Sequence, residues 1–185
     1  MDRFFGAWAL VLLGCAAPDP DDDAGFARED THWVSLAAPD RWAVAADEDD
    51  PVAEHRPETV VCSPQPWHAV GEGIEVDTTE CNYVSLTGPL MHDIEAGEPI
   101  GVDMWWSTLA SVEPATGHLA LFVGGQRLWE TEVEIPGPAD ARRFEFPSPL
   151  SAFAGEDVVF HLHNHGFNTW TLARLATLTS LDEIP

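Results

Sequence analysis

Residues 118–135 read HLALFVGGQRLWETEVEI, two alternating runs of apolar and polar residues hinged on Gly124 and Gly125. No other stretch constrains the fold as much. A glycine pair between alternating runs predicts a two-residue β-hairpin, because the primed turns that match strand twist need positive φ at their central residues. In that register Phe122 faces Arg127, Ala120 faces Trp129 and His118 faces Thr131. Trp129, Thr131, Val133 and Ile135 then share one face, and Glu130, Glu132 and Glu134 line the other. This is the pattern of an antiparallel strand with one face in the core and one in solvent.

The same texture recurs from about Val60 onward. CNYVSL (81–86), PIGVDMWW (99–106), RRFEF (142–146), DVVFHLHNH (157–165) and TWTLARLATL (169–178) are of strand length and rich in branched or aromatic residues. Helical periodicity is sustained nowhere in this region, and turn signals come at regular intervals, so the expected fold is an all-β antiparallel sandwich. The phrases IEAGEPI (94–100) and FAGEDVVFHL (153–162) lead through a glycine turn into a strand. In this they resemble jelly-roll, galactose-binding-like and carbohydrate-binding modules. The resemblance implies a jelly-roll-like sandwich and carries no site residues with it.

Within DVVFHLHNH the strand period puts Val158, Phe160, Leu162 and Asn164 on the core face. Val159, His161, His163 and His165 fall on the opposite face, with roughly 6.6–6.8 Å between successive histidines. Two histidines so spaced can turn toward one ion at about 2.0–2.1 Å, whereas the outer pair, roughly 13 Å apart, cannot. A metal site here therefore uses His161 with His163, or His163 with His165, plus a ligand from a neighbouring strand. His92, His118, His68 and Asp103 are candidates by residue type, and imidazole-rich sites suit zinc or copper. The structural alternative makes Gly166, Phe167 and Asn168 a three-residue hairpin turn into TWTLARL. Asn164 and Asn168 then satisfy turn backbone, and the histidines are exposed or bonded to one another. A pH-sensing cluster is the third reading.

Tryptophan offers a different ligand class. In PIGVDMWW, Met104 and Trp106 align with Ile100 and Val102 on the core face, and Trp105 stands on the face of Asp103. An exposed ring beside a carboxylate suits sugar recognition, by stacking on the ring and hydrogen bonding to hydroxyls. Core packing is the competing account of Trp105 and explains Trp106, Trp129 and Trp170 adequately. There is no G-x-S-x-G elbow, no H-E-x-x-H and no P-loop. The chain thus reads as a binding or surface module, with a glycan or a surface protein as partner, more than as an enzyme. A copper-dependent oxidative enzyme is the alternative that the histidines leave open.

Location follows from the start of the chain. An apolar run from about Phe4 to Leu13 follows Arg3; it is too short to span a bilayer and is placed like an export signal. Leu12, Leu13, Gly14 and Cys15 resemble the lipobox of bacterial lipoprotein precursors, which implies lipidation at Cys15 and anchoring in the cell-envelope membrane. An ordinary signal peptide cut near Ala16 or Ala17 is the alternative. Either route leads out of the cytoplasm, where Cys62 and Cys81 remain as an even pair for a disulfide. With 32 acidic against 8 basic residues, the formal charge of −24 argues against nucleic acid or an anionic lipid surface as a partner. Two acidic, proline-bearing runs, residues 18–30 and 47–58, read as solvated segments. The first has the Asp19, Asp21, Asp23 alternation of a calcium loop but lacks its glycine and closing glutamate. The expected organisation is a signal at 1–14, an acidic tether at 15–58 and a β-sandwich at 59–185.

Overall fold

The computed structural model describes residues 31–180. Eleven strands form among the described residues: β1 (Thr31–Ser35), β2 (Ala43–Val44), β3 (Trp67–Val70), β4 (Gly73–Asp77), β5 (Tyr83–Pro89), β6 (Pro99–Trp106), β7 (Ala115–Val123), β8 (Gln126–Ile135), β9 (Asp140–Pro147), β10 (Asp157–His163) and β11 (Thr169–Ser180). One sheet runs β3-β4-β11-β6-β9, with β1 added to the far half of β11; the other runs β2-β5-β10-β7-β8. All the strand pairs in both are antiparallel. The expected all-β sandwich is therefore the fold observed.

The inward faces follow the period-two pattern. Ile100, Val102, Met104 and Trp106 of β6 meet Val158, Phe160 and Leu162 of β10, all nearly inaccessible. Two aromatic pairs anchor the core: Trp106 against Trp170 at 5.3 Å between ring centres, and Trp129 of one sheet against Phe144 of the other at 5.0 Å. The Cβ that an alanine would add at Gly117 lies 2.9 Å from the Trp170 ring, so glycine lets that ring approach β7 closely.

The β7–β8 turn is formed as expected, with Gly124 at φ 55° and Gly125 at φ 75°. Phe122 pairs with Arg127, but a bulge then shifts the register, so Leu121 faces Trp129, Ala120 faces Glu130 and His118 faces Glu132. The expected Ala120–Trp129 and His118–Thr131 pairings are thus corrected by one residue. The extra residue lets Leu128 and Trp129 both bury.

A second correction concerns residues 164–168. They make no hairpin: β10 and β11 belong to different sheets, and the turn carries the chain from one to the other. Asn164 and Asn168 are buried there around Thr78. The Thr78 hydroxyl donates to the Asn168 carbonyl at 2.8 Å and accepts from the Asn164 amide, while the Asn168 side-chain oxygen accepts from the Ala110 N–H at 2.6 Å. Trp170 and Leu172 do face the core, but from the opposite sheet.

The boundary at residue 58 also moves. β1 pairs with β11 over five residues, and residues 45–58 form an ordered strap across the outer face of the second sheet. Val52 is why the strap binds: it is buried in a small apolar cluster with Ala120, Phe122 and Val159. Cys62 and Cys81 form the expected disulfide, which closes the chain just after the strap. Residues 1–30, including the signal, Cys15 and the first acidic run, lie outside the described residues, and no helix among those described is long and apolar enough to cross a membrane.

Candidate functional site

The outer face of the first sheet holds the exposed tryptophan. Cross-strand register sets His68, Glu75, Thr171, Trp105 and Ala141 in one row and Arg174, Asp103 and Arg143 in the next. Trp105 is 37% exposed. Asp103 is gripped by Arg143 through two hydrogen bonds of 2.8 and 3.0 Å, one to each oxygen, and Arg174 Nε lies 3.0 Å from Oδ2. These guanidinium groups, Arg143 foremost, hold the Asp103 carboxyl below the usual carboxylate range. Arg174 is covered in turn by the Trp33 ring, with 5.0 Å from guanidinium carbon to ring centre, and Trp33 itself rests on Gly101. Asp103, Trp105, Ala141, Arg143 and Ala173 line a shallow depression of about 340 Å³.

The histidines lie on the outer face of the second sheet, as alternation predicts, but the strap covers them. His161 is fully buried and His118 nearly so; His163 is half-buried and His165 exposed. His163 pairs with His118 across β10 and β7, while His161 pairs with Ser85 of β5 on the other side. Strap residue Asp50 accepts hydrogen bonds from the Ser85 hydroxyl at 2.8 Å and the Tyr83 hydroxyl at 2.5 Å. Because the Ser85 proton goes to a carboxylate, Ser85 Oγ accepts from His161 Nδ1 at 3.0 Å. His161 Nε2 is then a bare lone pair, buried and without a partner. His118 repeats the arrangement: Nε2 is 2.8 Å from Glu130 Oε1, and Nδ1 is buried and unpartnered. His163 Nε2 is a third such nitrogen.

Burial sets the protonation of this group. Desolvation, reinforced by neighbouring His118, pushes His161 down to about 3, and desolvation with His165 pushes His163 down to about 4. Both rings are neutral at pH 7. Burial and the Asp50 carboxylate push the Tyr83 hydroxyl upward, so it stays a donor. The His118 bond, helped by Arg127, holds Glu130 below its usual range.

His92 is not part of this group. It is exposed on the loop after β5 and lines a larger cleft of about 970 Å³ with Asp93, Glu95 and Glu98. Two of those carboxylates are engaged in loop structure: Asp93 accepts from the Ala154 N–H and Glu98 from the Glu95 N–H. Asp103 and His68 lie on the first sheet, away from the histidine face. Among the described residues, no group of three or more His, Cys, Asp or Glu side chains is arranged to hold a metal as it stands. Sequence reasoning missed Asp50, Ser85, Tyr83, Glu130 and His55 on the second sheet, and Trp33, Arg143 and Arg174 on the first. Alternation alone could have found Tyr83 and Ser85, which share the outward face of β5.

No protein-family model and no characterised protein matches this sequence. Similar solved structures include the CBM4 structure, at 12% identity over 76% of this chain and 88% of that one, TM-score 0.41. A mutant of a carbohydrate binding module of family 29 is 9% identical over 84% and 97%, TM-score 0.41. TmCBM27, a carbohydrate-binding module studied for specific mannan recognition, is 11% identical over 80% and 95%, TM-score 0.44. These likenesses assign no ligand and no residue to this chain, and the sandwich assignment rests on its own strand pairing.

Proposed function

We propose that this chain is an exported, lipid-anchored β-sandwich module that binds a glycan on the outer face of its first sheet. The observation that carries the reading is Trp105. A tryptophan 37% exposed on a flat sheet face leaves an apolar surface in water unless something stacks on it. Around it stand polar groups already fixed in place, Asp103 between Arg143 and Arg174 and Thr171 bonded to Glu75, so little ordering accompanies ligand binding. Trp33 extends the aromatic surface along the strands. Mixed signs within one small area suit a neutral polyhydroxyl ligand, which takes donors and acceptors together.

The test is titration of the purified protein with a panel of soluble manno-, cello- and galacto-oligosaccharides, read by tryptophan fluorescence. At least one should quench emission saturably, and Trp105→Ala should abolish the response while leaving the melting temperature within a few degrees. A panel without a responder, or a response that survives in Trp105→Ala, defeats the proposal.

A further inference from the structure

On the other sheet, we infer that the strap and the histidines beneath it form one transition-metal site, taking zinc(II) or copper(II) through His118 Nδ1, His161 Nε2 and His163 Nε2, with His55 of the strap as the fourth ligand. The glycan face plays no part in it.

Three features carry this. The unpartnered atom on His161 is a lone pair, since Nδ1 donates to the Ser85 hydroxyl, itself held by Asp50; on His118, Nε2 is fixed by Glu130 and Nδ1 is the buried nitrogen left for an ion. Such outer hydrogen bonds fix the tautomer and aim of metal-binding imidazoles. Glu130 is fixed in turn by Arg127 at 2.6 Å. The ring separations also fit. Two imidazoles on one tetrahedral ion at about 2.0–2.1 Å have ring centres roughly 5 Å apart, and His118 lies 5.3 Å from His161 and 5.1 Å from His55. Finally, the alternatives for these nitrogens are poor, because a buried polar atom without a partner is costly and rare.

His118 and His161 are thus preset, while His163 and His55 reach the ion by side-chain rotation. That division accounts for the lack of a finished three-ligand group. His55 is exposed on a 3-10 turn spanning Ala53–His55, and its contact with Glu54, at 3.8 Å, is a solvent-facing one that an ion can replace. Its engagement adds a further tie between the strap and the sheet, so metal binding also tightens the strap.

The experiment uses the full-length, tag-free protein, stripped with chelator and titrated calorimetrically with zinc(II) or copper(II) alone. One equivalent of at least one metal should bind. His161→Asn should weaken it about 100-fold and His55→Ala about 10-fold or more, while His92→Ala should leave it unchanged. Amide exchange over residues 47–58 should slow on metal addition. His55→Ala removes only an exposed side chain, so its result stands even where His161→Asn fails to fold. Absence of stoichiometric binding by both metals overturns the inference, as does binding that His55→Ala leaves intact without slowed strap exchange. Binding of several weak equivalents does so too.

Discussion

The metal-free protein should lose stability in mild acid through its buried histidines, His161 foremost. In the folded state the His161 pKa is pushed down to about 3 by burial, whereas in the unfolded chain it takes the ordinary value near 6.5. The folded value is the depressed one, so the unfolded state takes up the proton first. The contribution of neutral His161 is therefore fully present above about pH 6.5 and drains away as pH falls toward 3. At pH 4.5 the unfolded chain is two pH units below its own pKa and the folded one has barely begun to titrate. The difference is about 2.7 kcal/mol at roughly 1.36 kcal/mol per unit. His163 acts in the same direction but by less, because its ring is only half-buried.

Other groups titrate in the same range, and relief of the charge of −24 on acidification opposes the loss. The measurement is therefore a comparison: urea unfolding of the wild type and His161→Gln, both with chelator present, at pH 7.5 and 4.5. The carboxylate contributions are common to both proteins. Wild type should lose roughly 2–3 kcal/mol more than the variant between the two pH values. Equal losses, within about 0.5 kcal/mol, would refute the claim that His161 is buried neutral.

Two further outcomes test the strap and the anchor. Asp50→Ala should destabilise the fold by about 2 kcal/mol, since Ser85 and Tyr83 lose a charged acceptor; denaturant unfolding should show the loss, with faster amide exchange confined largely to residues 47–58. Cys15→Ser should shift the protein from the membrane fraction to the soluble fraction of cells expressing the full precursor, and unchanged partitioning would rule out the lipid anchor.

Much of the sandwich was legible because period-two alternation records which face of a strand is dry. PIGVDMWW becomes β6 with the expected inward and outward residues, and Trp105 and Asp103 stand on the face alternation assigns them. What alternation does not encode is the partner. DVVFHLHNHGFNTWTL carries the same pattern whether its two strands pair with each other or face each other across the core, and the choice is made by Thr78, 86 residues from Asn164. The strap was illegible for a related reason. Residues 47–58 have the composition of a solvated segment, and two side chains, Val52 and Asp50, outweigh it by meeting partners on β5, β7 and β10. Until that cover is known, His161 reads as exposed.

The buried histidines also raise a question of stability. His118, His161 and His163 each keep an unpartnered buried nitrogen, and each such atom costs on the order of 1–3 kcal/mol. Val159, one step along the same face of β10, shows that this position under the strap accepts a plain apolar side chain. Valine or leucine at 161 would satisfy the period of the strand and remove the penalty. Three buried imidazoles, two of them held by Glu130 and by Ser85 with Asp50, are thus a local arrangement less stable than the simplest one available to the fold. A metal ion offsets that cost by converting each lone pair into a ligand bond, so bound metal should raise the melting temperature of the wild type more than that of His55→Ala. Equal shifts in the two proteins would remove His55 from the ligand set, and no shift in either would mean that the unpartnered nitrogens serve packing alone.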